Sequence, residues 1–146
     1  MRKQFMIGLA VATIVAYSCT DGFGVANVIA VSDAAELSYA SQISNEREIK
    51  ITATLQKISK EAKTLDIEVV METHTHALSE GMEDSSVLIA DGKQYKPSGW
   101  EGSSPGGHHR KGLLHFKTIS PKPSSVELQI RLIGDPAPRS FKWRLK

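Results

Sequence analysis

The amino-acid sequence predicts an all-β domain built from two packed sheets. Three observations carry that expectation. Apolar residues recur at every second position in several short runs, turn dipeptides and prolines separate those runs, and no stretch offers a convincing helical pattern. Period two marks a strand with one buried face, and short strands of that kind must bury those faces against one another.

Ile49, Ile51, Ala53 and Leu55 alternate with polar neighbours. Leu65, Ile67, Val69 and Met71 alternate with Asp66, Glu68, Val70 and Glu72, three of them charged. Val87 to Ala90 and Lys93 to Lys96 flank Asp91-Gly92, a pair that tolerates the positive φ of a type I′ turn, so the two segments form a hairpin that sets Leu88 opposite Tyr95. Gly112 to Thr118, Val126 to Ile133 and Ser140 to Leu145 follow, separated by Pro121-Lys122-Pro123 and Gly134-Asp135-Pro136. The last strand places Phe141, Trp143 and Leu145 on one face, which makes the C-terminus part of the core. About seven strands in this pattern read as an immunoglobulin-like β-sandwich.

Residues 1–30 read as a signal peptide. Arg2 and Lys3 precede the apolar run Phe5 to Tyr17, which is short for a membrane span, and small residues at Gly24-Val25-Ala26 and Val28-Ile29-Ala30 offer cleavage sites. The favoured mature start is near Val31, in an exported protein, periplasmic or extracellular, with no transmembrane span in the mature chain. Lipid anchoring at Cys19 is the rival, disfavoured by the bulky Tyr17 before it. Cys19 is the only cysteine, so the domain has no disulfide framework and no thiolate metal site. Residues 31–46 form an N-terminal tether or leading strand, and 47–146 the β-sandwich domain.

Beyond Ala30 the chain carries 16 basic and 15 acidic side chains, a near-neutral balance that disfavours nucleic acid. The two signs are unevenly spread. Residues 31–109 hold 7 basic and 13 acidic groups and residues 110–146 hold 9 and 2, a pattern that oppositely charged neighbouring strands would neutralise.

Four of the five histidines fall in two short patches, Thr73-His74-Thr75-His76 and Gly106-Gly107-His108-His109-Arg110. Imidazole is the commonest protein ligand for borderline metals, so His74, His76, His108 and His109 are the candidate metal ligands. Extending the parity of the second strand puts Glu72, His74 and His76 on one outward face, where a His-x-His pair can chelate an ion and Glu72 can add an oxygen. The stretch Pro97 to Arg110 is long and glycine-rich for a hairpin connection, and Trp100 within it should fold the loop back onto the domain. His115 reads as a cross-strand surface histidine.

Around these residues the chain resembles a group of uncharacterised, exported bacterial and archaeal proteins with an immunoglobulin-like domain. The matching elements are Thr73-His74-Thr75, Tyr95-Lys96-Pro97, Trp100-Glu101-Gly102, Gly106-Gly107-His108-His109 and Phe141-Lys142-Trp143, within residues 47–146. The resemblance implies a shared fold and transfers no activity; His76 stands where that group has another residue.

The sequence thus points to a small exported binding module with a divalent transition metal (copper, zinc or nickel) as leading ligand, centred on His74 and joined by His76 and by His108 or His109. Met71 and Met82 are too few for a cuprous thioether site. The alternative is a protein- or envelope-interaction domain in which Trp100 meets the partner and the histidines only support the loop. An enzyme is not expected, because no nucleophile accompanies a histidine with an orienting carboxylate.

Overall fold

The computed structural model describes residues 39–56 and 62–145. The expected signal peptide, Cys19 and the first part of the 31–46 segment lie outside them. Among the described residues the chain runs β1 (Gln42–Glu46), β2 (Ile49–Leu55), β3 (Thr64–Thr73), α1 (Met82–Ser85), β4 (Ser86–Ala90), β5 (Lys93–Tyr95), β6 (Gly99–Gly102), β7 (His109–Lys117), β8 (Ser125–Ile130) and β9 (Arg139–Arg144). All pairings are antiparallel, in two sheets ordered β1-β2-β3-β7-β6 and β5-β4-β8-β9.

The alternation in the sequence becomes the core. Along β3 every second residue is buried, ending on Thr73, and Leu65, Ile67, Val69 and Met71 meet Leu88, Leu128, Ile130, Phe141 and Trp143 from the other sheet in one apolar cluster. Each such side chain contributes about 1.5 to 3 kcal/mol on burial. The Trp143 indole N–H is satisfied by the Ala40 carbonyl at 2.9 Å. The Asp91-Gly92 turn takes φ values of 46° and 82°, and Leu88 faces Tyr95 as the turn chemistry requires.

Nine strands form among the described residues where about seven are expected in 47–146; β6 is additional, and β1 lies in the 31–46 segment expected to be a tether or leading strand. β1 has no apolar alternation because its one apolar side chain, Ile43, is 64% exposed, while Gln42 and Ser44 are half-buried. β6 is hidden by glycines. Gly102 lies opposite Gly112 of β7, and a Cβ on Gly112 would stand 2.6 Å from the Glu101 carbonyl and 2.6 Å from the Trp100 ring, so the flat seat of the indole requires both glycines. The expected long loop is therefore β6, a short turn over residues 103–108, and the start of β7. The single helical turn α1 is too short to leave a 3.6-residue pattern, although Met82 anchors it in the core.

Two side chains close the seam where the sheets meet. The Gln42 amide bonds the backbone of Lys142 on β9, donating to its carbonyl and accepting its N–H, the latter at 2.9 Å. The buried Arg139 guanidinium pairs with Asp135 at 2.9 Å and donates to the carbonyls of Ile49 (2.6 Å) and Glu46 (2.9 Å), which pins β9 to the β1–β2 turn. Arg47 and Glu48 of that turn hold positive φ, 51° and 62°.

Candidate metal centre

The strand registers assemble a row. Lys50 of β2 faces Glu72 of β3, which faces His109 of β7, all on the outward side of the five-stranded sheet. Beyond Thr73 the chain bends out of the strand, and this bend delivers His74. Its ring lies 6.3 Å from that of His109, centroid to centroid, with the planes at 80°. The bend is fixed on both sides: the Thr75 N–H donates to the Thr73 hydroxyl at 3.3 Å and the Thr75 hydroxyl donates to Glu48 at 2.8 Å.

Backbone bonds stitch the glycine turn to the same segment. Thr73 N–H donates to the His108 carbonyl (2.9 Å), Leu78 N–H to Gly107 (3.0 Å) and Gly106 N–H to Leu78 (2.8 Å). Gly106 and Gly107 adopt φ of 112° and 73°, which glycine takes without strain. His108 thus enters through its carbonyl, with its side chain exposed.

Glu72, His74 and His76 do not line one strand face as expected, because β3 ends at Thr73 and period two holds only while the backbone stays extended. His74 lines a depression of about 470 Å³ with Asn45, Glu48, Lys50, Glu72, Thr73, Thr75 and His109. His76 lines a different one and lies 4.0 Å from Glu48. The structure therefore joins His74 to His109.

Glu72 is the carboxylate beside this pair. Its oxygen lies 2.9 Å from Lys50 Nζ, and the hydrogen bond and charge of Lys50, followed by the two imidazoles, hold its pKa below the usual 4.5. As placed, no group of three or more His, Cys, Asp or Glu side chains among the described residues is arranged to hold an ion. The arrangement is two adjoining imidazoles, with a carboxylate engaged elsewhere.

The residue that sequence reasoning overlooked is Arg110. Phe116, Leu114 and Gly112 share its parity, so it points into the core, opposite Met71, and is 2% exposed. Its guanidinium donates to the carbonyls of Leu78 (3.2 Å), Glu80 (2.6 Å) and Ser103 (3.2 Å), and lies 5.8 Å from the centre of the Trp100 ring. Burial lowers its pKa. Trp100, whose N–H reaches the Ser103 carbonyl at 3.1 Å, is half-buried against the core. Arg110 and Trp100 together brace the turn that presents His109.

His115 is held differently. Its Nδ1 is 2.8 Å from Asp66 and its Nε2 is 3.6 Å from Glu101.

Comparison with known protein families, curated proteins and solved structures finds no match to this chain. No helix among the described residues is long and apolar enough to cross a membrane.

Proposed function

We propose that the chain is an exported, immunoglobulin-like binding module that holds one divalent transition metal ion, copper, zinc or nickel, between His74 and His109. The strand order supports the fold name: β2-β3-β7-β6 facing β4-β8-β9 coincides with the A-B-E-D and C-F-G order of immunoglobulin sandwiches, with β5 added beside β4 and β1 in front. The distance between the two rings carries the metal reading. An imidazole bound at about 2.1 Å has its centroid about 3.2 Å from the ion, so two rings on one ion have centroids at most about 6.4 Å apart and about 5.2 Å at a tetrahedral angle. The observed 6.3 Å lies inside that limit. Both rings are exposed, so a rotation of about 1 Å inward meets little packing resistance.

Binding is favoured over catalysis because Glu72, the carboxylate in register with His109, is held by Lys50 instead of orienting an imidazole. It is also favoured over docking through Trp100, whose ring packs on Gly102, Gly112 and Arg110.

Calorimetric titration of the full-length chain with Cu²⁺ and Zn²⁺ tests this. One saturable site is expected, tighter for Cu²⁺ and weaker on acidification, because imidazole must be neutral to coordinate. His74→Ala and His109→Ala should each abolish it, and His115→Ala should leave it unchanged. Absence of saturable binding at neutral pH, or binding that survives His74→Ala, overturns the site.

A further inference from the structure

We propose that Lys50 is a built-in competitor of the metal ion: its ammonium occupies the Glu72 carboxylate that becomes the third ligand when a divalent cation enters between His74 and His109. This rests on the metal reading and adds its regulation.

Lys50, Glu72 and His109 lie in register across three neighbouring strands, so the carboxylate stands between a cationic side chain and a ligand imidazole. The Lys50 Nζ–Glu72 contact of 2.9 Å joins side chains that are 45% and 40% exposed. An ion pair that open contributes little to stability and breaks at little cost. A divalent ion at about 2.1 Å attracts a carboxylate roughly three times as strongly as an ammonium at the pair's distance, by charge and separation alone. A monovalent cation has no such advantage. The pair thus blocks weak cations and yields to a divalent ion that two imidazoles also hold. Ligand exchange is the only chemistry involved: one Glu72 oxygen leaves the ammonium, which returns to solvent, and binds the ion.

The test is competition titration of Zn²⁺ into the full-length chain against a chromophoric chelator, for the native protein, Lys50→Met, Glu72→Gln and the double variant, with thermal melts to verify folding. Lys50→Met should tighten binding about two- to fivefold, the range set by the strength of an exposed pair. Glu72→Gln should weaken it, and the gain from Lys50→Met should vanish in the Glu72→Gln background. Lys50→Gln provides the same comparison should the methionine variant fold poorly. An unchanged or weaker affinity in both Lys50 variants overturns the proposal while leaving the imidazole site intact. A gain that persists without Glu72 also overturns it, by reducing Lys50 to general charge repulsion. No Zn²⁺ binding in any variant removes the metal site itself.

Discussion

His109 and His115 stand on the same outward face of β7, near its two ends, and each faces a carboxylate of β3. Asp66 bonds His115 directly at 2.8 Å, and Glu101 of β6 approaches its other nitrogen at 3.6 Å. Glu72 turns away from His109 to Lys50, leaving that ring to meet His74. A carboxylate opposite an imidazole therefore does not decide whether the ring is free. The next strand on either side does. β2 places a lysine beside Glu72, and β6 stops at Gly102, level with Gly112, so no strand flanks His109 as Glu101 flanks His115.

The largest expected effect breaks this contrast at one end only. Arg110→Leu removes the donor to three carbonyls and should cost about 3 kcal/mol, the penalty for buried groups left unsatisfied. Hydrogen exchange should then quicken at the Leu78 amide and around the 103–108 turn, while the strands bearing Asp66 and His115 stay protected. Uniform loss of protection would show that Arg110 supports the whole domain equally. A smaller effect probes the middle of β7: Gly112→Ala forces a Cβ into the Trp100 ring and the Glu101 carbonyl and should cost about 1 to 3 kcal/mol in denaturant melts. A neutral result would mean that β6 and its indole can shift together.

The smallest effect concerns pH. Glu72 has a lowered pKa in the folded chain, so its contribution is complete above the usual carboxylate value of 4.5 and is lost as the pH falls below it. The difference in melting temperature between the native chain and Glu72→Gln should shrink as the pH falls below 4.5. A difference that persists unchanged into stronger acid would show that Lys50 does not depend on this carboxylate.

Much of the fold was legible because its strands obey period two. β3 and β9 alternate along their whole lengths, and Asp91-Gly92 sets the hairpin register. β6 was not legible, since Gly102 is chosen for lack of a side chain, and β1 only as one of two readings of residues 31–46, since Ile43 faces solvent. At the site, the sequence sets His74 beside His76 and beside His108 or His109 without separating the last two. The choice depends on where β3 ends, and the bend after Thr73 is held through the Thr75 hydroxyl by Glu48, which is remote in sequence. The role of Arg110 was readable from the parity of Leu114 and Phe116, but the basic neighbour Lys111 makes the pair look like surface charge.

The Gln42 amide has a consequence for how copies of this chain meet. A bare outer strand offers unpaired N–H and C=O groups as a template on which another chain can extend the sheet. At Lys142 one side chain fills that template in the manner of a backbone, and Lys142 carries a largely exposed ammonium beside it. Lateral growth from β9 must first displace an intramolecular amide and then bury a charge. Edge-on assembly is thereby directed to the opposite end of this sheet, where β5 offers a rung of three residues, too short to hold a second copy.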